Sequence, residues 1–175
     1  SLLIALANNQ IFIPSACGGK ATCGLCKVKV LTGGGQLLPT EEPYLSAAEV
    51  SDGVRLSCQV KVKSDLDVYI PDELFSIRQY QARVEKITQL THDIKKYSFA
   101  LANNETISFK AGQYMQIESK PYPGVQESVT RAYSISSLPS DDHRVELIVR
   151  LVPHGICSTW MHNHLREGDL VTLTG

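Results

Sequence analysis

Long apolar runs are missing from this sequence. The run near its start, residues 2–7, falls far short of the roughly 20 residues a membrane-spanning helix requires. It also lacks the basic flank and small-residue cleavage site of a secretory signal. No charge dominates: 17 Lys and Arg stand against 18 Asp and Glu, for a net charge of −1. Neither nucleic acid nor an anionic membrane surface is therefore implied as a partner. No internal repeat, low-complexity tract or G-x-G-x-x-G turn is present, so no pyridine-nucleotide site is visible. What remains is an ordinary globular composition, 43% hydrophobic over 175 residues, enough for one large domain or two of common size.

The chain opens at Ser1 directly into an apolar stretch and stops on Gly175, where a turn would lead onward. Both ends read as cuts within a longer protein. Residues 1–70 form a first region. Residues 1–9 suggest a short helix capped by Ser1. Residues 26–35 alternate and end in three glycines, as a strand entering a turn does. Thr40, with Glu41, Glu42 and Pro43 after it, reads as a helix start. Residues 54–71 alternate again and place Val60, Val62, Leu66, Val68 and Ile70 on strands. Residues 71–78 look like a linker. From residue 79 the texture changes: 80–91, 94–101, 112–119, 130–137, 144–152 and 169–175 are six strand candidates, and only 156–165 looks helical. Six strands with one helix predict a small antiparallel barrel over residues 79–175.

The chain has five cysteines. Cys17, Cys23 and Cys26 follow a C-x5-C-x2-C spacing, and Cys58 comes 31 residues later. Disulfides would crowd two bridges into one short loop. Zinc usually draws on two tight Cys pairs, and only one is present. A long loop with three thiols and one distant thiol follows the 2Fe–2S ferredoxin pattern. Gly18, Gly19 and Gly24 would let backbone N–H groups turn inward against the negative charge of such a cluster, and Ala16, Ala21 and Thr22 are small enough for the loop to wrap. Cys157 reads first as a small residue at a helix start. His162 and His164, two apart on a helix, point to different faces and read as surface or satisfied histidines; Trp160 and Met161 read as packing residues.

Residues 11–75 resemble the ferredoxin domain found in the sodium-translocating NADH:quinone oxidoreductases, in the subunit that carries both an iron–sulfur cluster and a flavin. That family shares the five-residue first gap, where plant ferredoxins have four. Further on, Arg131-Ala-Tyr133-Ser134 resembles the R-x-Y-S motif of the ferredoxin–NADP reductase superfamily. Residues 110–115 resemble the G-Q-[YF] turn that precedes its flavin strand. Val149 and Arg150, then Gly155, Cys157, Ser158 and Thr159, resemble its V-R pair and G-x-x-S helix start.

The resemblance implies a β-grasp 2Fe–2S domain without its first hairpin, followed by a six-stranded antiparallel Greek-key barrel with one capping helix. It implies Cys17, Cys23, Cys26 and Cys58 as iron ligands and FAD, with FMN the lesser alternative, as the flavin. Arg131 would hold the pyrophosphate, Tyr133 would lie against the ring system or ribityl chain, and Ser134 would reach the ring near N5. Alternation puts Arg131, Tyr133 and Ile135 on one face of the strand and Ser134 on the other, so the site must sit where the strand twists or bulges. A helix start at residues 155–159 would receive phosphate on its N–H groups, helped by the Ser158 and Thr159 hydroxyls. The family further implies an NADH domain after residue 175, a membrane helix before Ser1, a cytoplasmic position at the inner membrane, and a redox partner in a quinone-reductase complex. A soluble reductase of an oxygenase or hydroxylase uses the same centres. A scaffold that had lost both centres would be colourless.

Overall fold

The computed structural model describes residues 1–175, the side chain at position 73 excepted. The chain falls into two compact units, Ser1–Arg78 and Gln79–Gly175.

The first unit holds helix α1 (Leu2–Asn8), strand β1 (Lys27–Thr32), helix α2 (Ala47–Ser51), and strands β2 (Val54–Leu56) and β3 (Asp67–Tyr69). The strands form one antiparallel sheet in the order β2-β1-β3. Its core gathers Leu2, Leu6, Ile13, Val28, Leu45, Leu56 and Val60. Ser1 stands at the N-cap of α1, but its side chain makes no capping bond. The helix start read at Thr40 to Pro43 is a short 3-10 turn, Glu42–Tyr44, with Glu41 at its N-cap; the Thr40 hydroxyl itself donates to Gln59, and α2 follows with Ser46 at its N-cap. There the Ser46 and Glu49 side chains each accept the other's backbone N–H in a capping box. The alternation of residues 54–71 is only partly strand. Val60 and Val62 lie outside the sheet, because the chain turns just after Leu56: the Gln59 and Val60 N–H groups donate to the Leu56 carbonyl, and Leu2 N–H donates to the Val60 carbonyl. Val62 is exposed. Residues 72–76 form a 3-10 turn.

All six expected strands of the second unit form: β4 (Gln79–Gln89), β5 (Ile94–Leu101), β6 (Tyr114–Glu118), β7 (Thr130–Ser134), β8 (Arg144–Arg150) and β9 (Leu170–Thr174), with helix α3 (Ile156–Asn163) between the last two. The order β7-β6-β9-β4-β5-β8 is antiparallel throughout. The ends of this order meet through an antiparallel bridge between Ile135 and Leu147, with Ser136 N–H donating to the Glu146 carbonyl at 2.8 Å. That single bridge, just beyond β7, brings the two end strands of the order together at one point. Period-two burial drives the assembly: Tyr97, Phe99, Val145, Leu147, Val149, Ile117 and Leu173 all point into one core. Helix α3 adds Trp160 and Met161 to it.

Candidate functional site

The cysteine loop is shaped by backbone that most residues avoid. Gly18, Gly19 and Gly24 have positive φ, and so does Ala21 at 54°. Ser15 anchors the turn: its carbonyl accepts Gly18 N–H and its hydroxyl accepts Gly19 N–H. A Cβ on Gly24 would come 2.7 Å from the Tyr44 ring, so only glycine fits there. A Cβ on Gly19 would lie 3.8 Å from Cys58 Cβ, which shows the loop running alongside the distant cysteine.

The thiols come in two pairs. Cys17 and Cys23 sulfurs are 3.4 Å apart and half-buried. Cys26 and Cys58 are buried and interact with each other. They are joined through the sheet: β1 pairs Lys27 with Leu56, and Ser57 N–H donates to the Cys26 carbonyl at 2.8 Å. None of the five cysteines is in a disulfide. Among the described residues, no three Cys, His, Asp or Glu side chains converge as a single-ion site. Four thiols in two pairs fit a dinuclear centre, with two ligands for each iron, better than one tetrahedral zinc. The donor set is all sulfur, and the left-handed loop backbone suits a negatively charged cluster. Burial would raise the Cys17 thiol, but the Thr22 backbone and side chain, Cys23 and the Lys20 backbone together bring it down to about 6. Burial pushes the Cys26 thiol up to about 12; the Cys58 backbone opposes this and the Cys58 thiol adds to it. Binding a metal would remove both protons.

A buried ion pair braces this arrangement, and nothing in the sequence pattern announced it. Glu41 is fully buried, and Arg55 nearly so. Arg55 spends its donors on both Glu41 oxygens, at 2.9 and 2.6 Å, and on the carbonyls of Gly34, Gly35 and Gln36. Glu41 also accepts the Leu38 and Leu56 N–H groups. Burial alone would raise the Glu41 carboxyl, but Arg55 and those two N–H groups hold it below the usual carboxylate range. The pair thus ties the glycine turn to the strand that leads into Cys58. Charged residues are rarely buried, so residue type alone argues against finding them here.

In the barrel, the two motif segments meet. Arg131 and Tyr133 pair across to Ile117 and Met115 on β6. Just after Ser134, Ile135 bridges Leu147 on the β8 side while its N–H is still held by the Gln113 carbonyl on the β6 side. Gln113 belongs to the G-Q-Y turn, whose Gly112 has φ +96°. The β6–β7 register runs without a bulge from Thr130 to Ser134, and Ser134 is exposed at the strand end. Tyr133 interacts with Cys157 at the start of α3, and the Arg131 charge acts on both. Burial, with Cys157 adding to it, raises the Tyr133 hydroxyl. Burial raises the Cys157 thiol as well, against the pull of Tyr133 and Arg131. Cys157 is therefore a second link between the two segments as well as a helix-start residue.

Other expected positions behave differently. Val149 turns its side chain into the core, and its carbonyl bonds the buried His162 ring at 3.0 Å. Arg150 extends outward to Asp93, 2.7 Å away. A Cβ on Gly155 would come 2.6 Å from Ser158 Oγ. The Ser158 hydroxyl is buried within its own loop, accepting Val152 N–H and donating to the Gly155 carbonyl. Its expected role as a hydroxyl donor to phosphate would require it to leave these partners; Thr159 is half-exposed beside it. His164 stacks on Tyr122, the ring centroids 4.6 Å apart.

Residues 81–175 match the family described as oxidoreductase FAD-binding domain, and residues 1–63 match the 2Fe-2S iron-sulfur cluster binding domain. Over 99% of its length the chain is 36% identical to a subunit of the Na(+)-translocating NADH-quinone reductase of Neisseria meningitidis serogroup B, and 37% identical to the corresponding subunit of Mannheimia succiniciproducens. It spans about half the length of these relatives, 51% in each case. Among solved structures it resembles an Amycolatopsis cytochrome P450 reductase, with a TM-score of 0.67 and 31% identity, over all of this chain and 52% of that one. It also resembles the ferredoxin reductase of carbazole 1,9a-dioxygenase, with a TM-score of 0.66 and 30% identity, over all of this chain and 54% of that one.

Proposed function

Because this chain belongs to the oxidoreductase FAD-binding domain family and carries a 2Fe–2S cluster-binding domain ahead of it, we propose that it is the electron-transfer part of an NADH:quinone reductase. When bound, FAD would take two electrons together from NADH and release them singly to the 2Fe–2S cluster. Cys17 and Cys23 would ligate one iron, and Cys26 and Cys58 the other. The loop glycines would bring backbone N–H groups toward the ligating sulfurs. Arg131 would neutralise the FAD pyrophosphate, Tyr133 would pack along the flavin, and Ser134, exposed at the strand end, would reach the ring edge. The N-terminus of α3, from Gly155 with Thr159, would offer N–H groups to phosphate. Val149 would contribute only through its backbone, and Arg150 only after leaving Asp93.

The observation that carries this reading is the pairing of the four thiols in one unit while Arg131, Tyr133 and Cys157 converge in the other. The extended similarity to the Na(+)-translocating reductases favours a partner in a membrane quinone-reductase complex, at its cytoplasmic face. The two oxygenase-type reductases share both domains and support a second reading, a reductase feeding an oxygenase. No helix among the described residues is long and apolar enough to cross a membrane.

Absorption and EPR spectra of the purified full-length protein test the centres. Flavin and oxidised-cluster bands, with an S = 1/2 signal on reduction, are expected. A colourless, zinc-loaded protein from an iron-replete anaerobic preparation would falsify the reading. Reduction of quinone in reconstituted membranes, set against electron delivery to a purified oxygenase, separates the two partners.

A further inference from the structure

The loop between β6 and β7, residues 119–129, is fastened at its base and at its tip. At the base, Ser119 N–H donates to the Val129 carbonyl at 2.9 Å, and the Ser119 hydroxyl accepts Val129 N–H at 3.0 Å. Both residues are buried. At the tip, Tyr122 and Val125 exchange N–H···O bonds of 2.9 and 2.8 Å around Pro123 and Gly124, the glycine at φ +88°. These bonds fix where Tyr122 stands. Its ring is half-buried and packs against the barrel core. It stacks on His164, the C-cap of α3, with centroids 4.6 Å apart and planes 24° apart. Its hydroxyl donates to the Ile156 carbonyl, in the first turn of α3, at 3.4 Å. One side chain thus touches both ends of the helix.

Those contacts join the two halves of the candidate flavin site. On one side, Val129 leads through Thr130 to Arg131. On the other, Ile156 lies between Gly155 and Cys157. A loop that only linked two strands would need no aromatic anchor, and Gln126, Glu127 and Ser128 in the same loop are exposed. A pyrophosphate held by Arg131 and by the start of α3 needs both at once. Its affinity therefore gains when their spacing is set before it binds. We propose that Tyr122 is a positioning residue for FAD: stacked on His164, it pins the loop to α3 and holds Arg131 and the helix start at the spacing the pyrophosphate bridges. The inference rests on the flavin reading above.

The test is the dissociation constant of FAD, by equilibrium dialysis on the full chain, for Tyr122→Ala, Tyr122→Phe and His164→Ala. The two Ala variants are also combined, each in turn, with Arg131→Ala. Loss of either ring is expected to weaken FAD about tenfold, the worth of an aromatic pair. Phe keeps the stack and should stay near the parent affinity. In the Arg131→Ala background, loss of Tyr122 or His164 should weaken FAD little further, because one of the two grips is already gone. A residue that only stabilised the fold would show its full tenfold there as well, since independent effects multiply. If Tyr122→Ala does not fold, as read by Trp160 emission, His164→Ala and its combination with Arg131→Ala decide the matter. Parent affinity in the Ala variants, a Phe variant as weak as Ala, or losses that multiply in the double variants would overturn the proposal. A parent chain that binds no FAD would instead overturn the flavin reading beneath it.

Discussion

The two units hold their candidate sites by opposite means. In the first, three thiols lie within one loop of residues 17–26, and what shapes them is left-handed backbone, a serine anchor and one buried ion pair. In the second, Arg131 and Tyr133 stand on a regular strand, and Cys157 comes from a helix that follows a different strand. They meet where the end of β7 approaches β8 at the Ile135–Leu147 bridge. A loop site depends on a few anchors and fails when one is removed. A barrel site depends on register, which many ladder bonds and a continuous core share. Damage to the first should therefore be abrupt, and damage to the second graded and confined to ligand affinity.

The sharpest test of that contrast is Cys58→Ala, which should abolish the cluster signal in EPR while leaving flavin content per chain unchanged. Loss of flavin from the same variant would show that the units are not independent. Next is Glu41→Ala, which strands Arg55 in the interior and should cost the first unit about 3–5 kcal/mol. The single tryptophan, Trp160, lies in the second unit. Urea unfolding followed by its fluorescence should thus keep its midpoint, while circular dichroism shows an earlier transition. Because the folded Glu41 carboxyl lies below its ordinary 4.5, its stabilisation is complete above that value and is lost as pH falls through the lowered folded value. Acid should accordingly loosen the parent's first unit, and Glu41→Ala should lack that part of the acid dependence.

Arg131→Ala should weaken FAD about tenfold to a hundredfold, the loss of one charge-assisted contact, with iron content intact; equilibrium dialysis of FAD reads this, and unchanged affinity would remove Arg131 from the phosphate. The smallest effect separates two glycines. Gly24→Ala combines positive φ with a clash against Tyr44, whereas Gly112→Ala has positive φ and open space. Thermal melts should show Gly24→Ala the more destabilising by about 1–2 kcal/mol. Equal effects would mean that Tyr44 yields and that the loop is less tightly built than its geometry indicates.

Much of the second unit was legible because β4, β8 and β9 carry their own period-two patterns, and turn residues separate the remaining strands. The same alternation misled in residues 54–71. There Val60 is buried by α1 rather than by a ladder, so burial and strand are not the same thing. Residue type also says nothing of local partners: Ser158 suits a phosphate, and in the structure its hydroxyl is engaged by the loop it starts. Glu41, Arg55 and Ser57 gave no sign of their burial in the sequence.

The sequence by itself determined the chemistry at hand: four thiols at ferredoxin spacing, an R-x-Y-S segment, and the number and limits of the barrel strands. These are properties of short stretches, set by residue type and period. Tertiary structure alone decided that the thiols divide into two pairs, that Glu41 and Arg55 pair in the interior, and that Tyr133 meets Cys157. Each of these joins segments distant in the chain, and the free energy of such a contact resides in neither segment until register and closure bring them together.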